Sequence, residues 1–198
     1  MGTIVQGQHI EKSYRAGDVD VPAVRGVDFT IAAGSFVAFV GPSGSGKSTL
    51  LNMIGGLDKP SAGTLTVLDT DIASLDHRAA AEFRGAHLGF IFQDFNLIPV
   101  LSAYENIEYP LLMVQDWEET KRRARVTELL AAVGMTDQAG KRPDQLSGGQ
   151  KQRVAVARAL ATNVSASDAR AEAERPSAER RTLTIACASV PSVTAWTW

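Results

Sequence analysis

Gly41-Pro42-Ser43-Gly44-Ser45-Gly46-Lys47-Ser48-Thr49 is the stretch on which the reading of this chain turns. It has the form G-x-x-x-x-G-K-[ST], a phosphate-binding loop when a strand precedes it and a helix follows. The apolar run Phe36-Val37-Ala38-Phe39-Val40 stands before it and Leu50-Leu51-Asn52-Met53-Ile54 after it. The local order therefore predicts strand, glycine-rich loop and helix. At average residue usage the four fixed positions recur by accident in roughly 1% or less of chains of this length. The pattern suits a polyphosphate for physical reasons. Glycines let the backbone wrap an anion with no Cβ in the way, and the turned N–H groups converge on it at a helix N-terminus. Lys47 adds a mobile positive charge for the β- and γ-phosphates, and Ser48 a hydroxyl for Mg²⁺. All nine residues, Gly41 to Thr49, are candidate nucleotide contacts.

Composition bounds the rest. A chain of 198 residues can bury one good core and carry a small subdomain. Apolar residues make up 44% and the formal net charge is −2, which leaves no broad basic footprint for nucleic acid. No uninterrupted apolar run reaches bilayer-spanning length. The start, Met1-Gly2-Thr3-Ile4-Val5-Gln6, has neither the basic nor the long apolar region of a secretory signal. A single cysteine, Cys187, cannot close an internal disulfide. The expected setting is reduced and cytoplasmic.

Along the chain, residues 3–40 read as short strands split by turns, with Asp28-Phe29-Thr30-Ile31 alternating in the strand manner. Residues 47–55 read as the helix behind the loop, and Thr64-Leu65-Thr66-Val67-Leu68 as a strand. A helix is expected over 76–86 with Asp76 at its N-cap, followed by the short buried strand Leu88-Gly89-Phe90-Ile91-Phe92. Residues 102–136 change character. Ser102 to Met113 and Glu118 to Val133 read as two helices, with Pro110 bending or interrupting the first and Gly134 closing the second. The cluster Lys121-Arg122-Arg123-Arg125 reads as a solvated helix face. A further helix is expected from near Ser147 to about Leu160.

That last helix opens on a second motif. Leu146-Ser147-Gly148-Gly149-Gln150 runs into Lys151-Gln152-Arg153-Val154-Ala155-Val156-Ala157-Arg158-Ala159-Leu160. A lone Ser-Gly-Gly is an ordinary cap, but downstream of a phosphate loop and at the head of an amphipathic helix it is far more specific. The pair resembles the ATP-binding cassette (ABC) ATPases, over roughly residues 3–163. The resemblance implies an α/β P-loop NTPase fold of ABC type, with an antiparallel β N-terminal part and a helical subdomain over 94–146. It implies that Ser147, Gly148, Gly149 and Gln150 face ATP held by the other subunit of a head-to-tail dimer, by the logic of helix dipole and backbone amides. Tyr14 resembles the aromatic that stacks on adenine. Gln93, in Phe92-Gln93-Asp94-Phe95, resembles the glutamine that meets Mg²⁺ or the attacking water, so that Ser48 and Gln93 are the metal contacts. The text around Phe95-Asn96-Leu97-Ile98-Pro99 and Glu105-Asn106-Ile107-Glu108-Tyr109-Pro110-Leu111 looks most like the lipoprotein-release and macrolide-export branch. A membrane permease is the implied partner, with the chain peripheral at the inner face of the cell membrane, and ATP and Mg²⁺ are the implied cofactors.

Past residue 163 the resemblance ends. The family's signature helix leads to a proline and a buried apolar strand ending in Asp-Glu, the Asp serving Mg²⁺ and the Glu acting as general base. Here Val164-Ser165-Ala166-Ser167-Asp168-Ala169-Arg170-Ala171-Glu172 follows, with no apolar strand and no Asp-Glu pair. The later acids, Asp168, Glu172, Glu174 and Glu179, follow no apolar run. The histidines, His9, His77 and His87, all precede the signature, so the family's switch histidine has no counterpart. No catalytic residue is identifiable. The expected division is a cassette over 1–163, with C-terminal core strands missing, and a non-matching tail over 164–198, as from a frameshift, a premature stop or a faulty gene reading. In the tail, Thr182 to Ala188 could form a strand that matches no family element, and Trp196 and Trp198 are expected exposed or loosely packed.

Three functions compete. One is the ATP-binding subunit of an ABC transporter, binding ATP with hydrolysis slowed by about 10²–10⁴-fold or more for want of a base. Another is a non-catalytic or misfolded product that acts, if at all, as a regulatory partner of a full-length subunit. The third, a chromosome-maintenance ATPase, needs a very long coiled-coil insertion that residues 94–145 are too short to hold.

Overall fold

The computed structural model describes residues 2–113, 117–161 and, as backbone, 183–186. Residues up to Leu88 form one compact unit, and residues 89–161 belong to a second.

The first unit is built on an antiparallel sheet. β1 (Thr3–Ala16) and β2 (Val19–Ala32) form a long hairpin, and β3 (Ala62–Val67) and β4 (Thr70–Asp71) extend it in the order β2-β1-β3-β4. The expected series of short strands is thus two strands of 14 residues each. A bulge interrupts the ladder within β1. His9 takes φ 49°, and its amide, out of ladder register, donates to the Asp28 carboxylate at 2.7 Å. Val5 sits opposite Ile31 on one side and Val67 on the other. Val5, Ile10, Leu65 and Val67 are shut from solvent, as are Met53 and Ile54 of α1 (Lys47–Ile54), which packs on β2 and β3. Each such side chain contributes about 1.5–3 kcal/mol by leaving water. α2 (His77–His87) starts as the sequence predicts, with the Asp76 carboxylate accepting from the Ala79 amide at 2.8 Å.

One sequence expectation fails here. Residues 36–40 form no strand. A strand needs partners for its amides, and among the described residues none pairs with this run. Phe36 is 95% and Val40 93% exposed. Phe39 meets the Phe29 ring edge-on at a centroid distance of 6.1 Å.

The second unit is mainly helical. α3 (Ala103–Met113), α4 (Glu119–Ala132) and α5 (Gly148–Ala161) pack on one another, burying Ile107, Leu111, Val126, Leu130, Val154 and Ala157. Ser102 and Glu105 cap α3 reciprocally: the Glu105 carboxylate accepts from the Ser102 amide at 2.7 Å, and Ser102 Oγ accepts from the Glu105 amide at 3.2 Å. Pro110 does not interrupt α3. It removes one rung of the helix bonding, while Ile107 and Leu111, both buried, hold the segment in place. Gly134, at φ 63°, closes α4 as expected.

The basic cluster on α4 is not simply a solvated face. Arg123 is exposed and pairs with Glu119, but Arg122 pairs with Glu108 of α3 at 3.2 Å with both side chains mostly buried. Buried Arg125 donates to the Leu160 carbonyl of α5 at 2.9 Å. Long stems with charged tips let one helix face point inward and still solvate or pair its charges. β5 (Leu88–Ile91) pairs with β6 (Leu183–Ala186) in a two-stranded sheet, so a strand does form inside the Thr182 to Ala188 segment. Asp168, Glu172, Glu174, Glu179, Trp196 and Trp198 lie outside the described residues.

Candidate nucleotide site

The glycine-rich loop closes as its sequence requires. Gly44 and Gly46 take φ 78° and 85°, conformations that favour glycine. Gly46 is doubly constrained, since a Cβ there would lie 2.4 Å from the Ala23 carbonyl oxygen. The Ser45 amide donates back to Pro42 at 3.3 Å, tightening the turn. Lys47 then folds into it, donating to the carbonyls of Gly41 at 2.9 Å and Pro42 at 2.7 Å and to Ser45 Oγ at 3.3 Å. The ammonium is held at the centre of the loop by neutral acceptors, which an anion can replace without leaving a charge unpaired.

α1 begins at Lys47 with Gly46 as its cap residue, no capping side chain and no acidic group in its first turn. Its leading N–H groups have no intrahelical acceptors, and the helix dipole adds positive potential there. Ser48 is exposed at this end. Buried Leu50, Met53 and Ile54 fix the helix on the sheet, so the amides are held in place. Such a donor set fits a polyphosphate with its Mg²⁺: Lys47 and the loop amides would take the phosphates, and the Ser48 hydroxyl the metal.

Tyr14, 33 positions earlier than Lys47 in the chain, comes to the same unit through β1. Its hydroxyl donates to Asp58 Oδ2 at 2.8 Å, its ring lies 5.0 Å from the Lys12 ammonium, and Thr49 borders its hydroxyl. Partial burial and the Asp58 hydrogen bond push the phenol's pKa up. Burial alone would push Asp58 up too. Hydrogen bonds from Lys12, Tyr14 and the Lys59 amide outweigh it and hold the carboxyl below the ordinary carboxylate range. Lys12 reaches Asp58 at 2.5 Å. Asp58 is the residue that sequence reasoning missed. It sits just past α1, where both its own amide and that of Leu57 donate to the Asn52 carbonyl, and no local pattern marks it as the anchor of Tyr14. Tyr14 as a whole keeps 42% of its surface exposed.

Gln93 and residues 147–150 belong to the second unit. Gln93 is exposed, two residues beyond β5. Ser147 and Gln150 form a reciprocal cap on α5: Gln150 Oε1 accepts from the Ser147 amide at 2.8 Å, and Ser147 Oγ accepts from the Gln150 amide at 3.3 Å. A Cβ at Gly148 or Gly149 would meet nothing within 4 Å. Packing against the described residues therefore does not require glycine at either position.

A family model described as "ABC transporter" matches residues 24–166. The chain belongs to this family. The uncharacterized ABC transporter ATP-binding protein YvrO of Bacillus subtilis is 47% identical over 152 residues, covering 77% of this chain and 66% of YvrO. The macrolide export ATP-binding/permease protein MacB of Rhodopseudomonas palustris is 48% identical over 151 residues, or 76% of this chain and 23% of MacB. The methionine import ATP-binding protein MetN of Corynebacterium diphtheriae is 45% identical over 162 residues, or 82% of this chain and 47% of MetN. Among solved structures, the dimeric post-hydrolysis state of the ATP-binding cassette MJ0796 bound to ADP and Pi superposes with a TM-score of 0.75 at 43% identity, covering 80% of this chain and 70% of that one. The chain is an ABC transporter ATP-binding cassette with the α/β fold of that class, and it spans only part of each of these relatives.

Proposed function

We propose that this chain grips ATP–Mg²⁺ as the ATP-binding subunit of an ABC transporter and hydrolyses it inefficiently. The observation that carries the reading is the loop over 41–49, closed around Lys47 at an uncapped helix N-terminus. Lys47 would leave its carbonyl acceptors for the β- and γ-phosphates, and the amides from Gly44 to Thr49 would follow the phosphate chain. Ser48 and Gln93 would hold Mg²⁺, and Tyr14, braced by Asp58, would stack on the base. The signature residues Ser147, Gly148, Gly149 and Gln150 would close on the nucleotide of a second copy or a full-length homologue in a head-to-tail dimer. A membrane permease would receive the motion at the cytoplasmic face of the membrane. The bound nucleotide supplies the phosphoanhydride bond. The chain supplies positioning and positive charge, but its sequence offers no Asp-Glu pair after the signature helix, so turnover would be slower by about 10²–10⁴-fold or more. Residues 164–198 we read as a tail outside the cassette.

A second reading has its own observation. The apolar run over 36–40 lies open, with Phe36 and Val40 almost fully exposed, as in a core that lacks neighbouring strands. This favours a non-catalytic or incompletely folded product that acts, if at all, on a full-length partner.

One experiment separates them. The purified chain is titrated with ATP–Mg²⁺ while phosphate release is followed, beside Lys47→Ala. Saturable binding that Lys47→Ala abolishes, without turnover above background, is the expected result. Turnover that depends on Lys47 would mean that another acid acts as base. No binding by a folded chain would leave only the second reading.

A further inference from the structure

Two adjacent residues of α5 hold the segment that carries Gln93 from both sides. On the N-terminal side, β5 presses against the helix: a Cβ at Gly89 would lie 2.2 Å from the Ala159 carbonyl oxygen. On the C-terminal side, the Arg158 guanidinium donates to the Asn96 carbonyl at 2.6 Å and the Phe95 carbonyl at 2.7 Å. Those two carbonyls belong to consecutive non-glycine residues at φ 61° and 46°, a conformation that L side chains adopt only at a cost. The turn's own bonds are short-range, Phe95 amide to Phe92 and Asn96 amide to Asp94, and do not tie it to the helices. Arg158 does, over a separation of 62 residues, and burial lowers its pKa.

We propose that Arg158 is a positioning residue for Gln93, clamping the strained turn behind it so that α5 carries the signature at one end and the metal-facing loop at the other. The inference rests on the ATP–Mg²⁺ reading above. From Gly148 to Arg158 the helix rises about 15 Å, and a rigid helix moves both ends together. The fork matters: two carbonyls diverging from one turn are met by a planar guanidinium, whereas a lysine ammonium offers a point charge that serves them less well. A displacement of the signature end is thereby delivered to the Gln93 loop without any intervening flexible link.

The test uses the full chain and the variants Arg158→Met, Arg158→Lys, Gln93→Ala and Asn96→Gly. ATP affinity is measured with Mg²⁺ and with chelator, and amide exchange is followed through residues 93–97 and through α5. In Arg158→Met, amides of 93–97 should exchange faster while those of α5 stay protected. The Mg²⁺-dependent gain in ATP affinity should fall by roughly 10-fold or more, the usual effect of removing a group that orients a metal contact. Adding Gln93→Ala should lower it no further, since the two act on one contact. Asn96→Gly, which favours the left-handed turn, should restore part of the gain. Rescue of this kind is not expected if Arg158 only packs. Should Arg158→Met fail to fold, Arg158→Lys is read in its place, with a smaller loss and the same rescue by Asn96→Gly. An unchanged Mg²⁺ gain in a folded variant, or losses that add with Gln93→Ala, overturns the role of Arg158 alone. Failure of the unsubstituted chain to bind ATP overturns the ATP–Mg²⁺ reading and this one with it, and is seen before any variant is made.

Discussion

Gly46 and Gly44 offer a paired test of how the loop is built. Both take left-handed φ, 85° and 78°, but their surroundings differ. A methyl at Gly44 meets nothing within 4 Å, whereas at Gly46 it lands 2.4 Å from the Ala23 carbonyl oxygen and 3.2 Å from Val24 Cγ2. Gly44→Ala should therefore cost only the backbone term, about 1–2 kcal/mol. Gly46→Ala carries the same term plus overpacking against a backbone oxygen in a sheet strand, which adds about 1–3 kcal/mol. The sum, roughly 2–5 kcal/mol, is a large share of the 5–15 kcal/mol by which domains are typically stable. Urea unfolding of the two variants beside the unsubstituted chain, followed by circular dichroism, reads the difference directly. Gly46→Ala should unfold at clearly lower urea than Gly44→Ala. Coincident midpoints would refute the close approach of Gly46 to β2.

Further outcomes follow from the same geometry. Because Asp58 is held below the ordinary carboxylate range, its contribution is present above the unfolded value, about 3.9, and is lost as pH falls through the folded value. Asp58→Asn should flatten the decline of the urea midpoint below about pH 4, and an unchanged acid slope would remove Asp58 from the account. Asn106 has no exposed surface and makes four bonds to Ile98, Leu101 and Ser102. Asn106→Ala orphans a buried amide and several carbonyls and should cost about 2–4 kcal/mol in thermal or urea unfolding. A cost below about 0.5 kcal/mol would show that the network is not intact in solution. Tyr14→Phe should keep most of the ATP affinity while Tyr14→Ala loses about 2–12-fold, the range expected for ring stacking. Equal losses would point to the hydroxyl, not the ring face.

Much of the fold was legible because its signals are local. Asp76 and Gly134 marked helix ends through side-chain chemistry and backbone freedom, which depend on few neighbours. The loop over 41–49 was readable for the same reason: glycines, a lysine and a following apolar helix specify a turn and its charge without help from elsewhere. The start of α5 near Ser147 was readable too, and the structure adds the reciprocal cap between Ser147 and Gln150.

What the sequence could not reveal depends on partners far along the chain. Residues 36–40 have the composition of a strand, yet strand is a property of a pair, and no described segment pairs with them. The α4 cluster looked solvated because charge pattern alone says nothing of what lies across the helix; Glu108 and the Leu160 carbonyl decided that Arg122 and Arg125 turn inward. Asp58 and Arg158 carried no motif of their own. Their importance comes from Tyr14 and from the Phe95 and Asn96 carbonyls, 44 and 62–63 positions away. By itself the sequence determined the phosphate loop, the helix boundaries and the family, because those follow from short-range chemistry. Only the tertiary structure decided which side chains brace the candidate site residues, because a hydrogen bond between distant residues exists only once packing has brought them within reach.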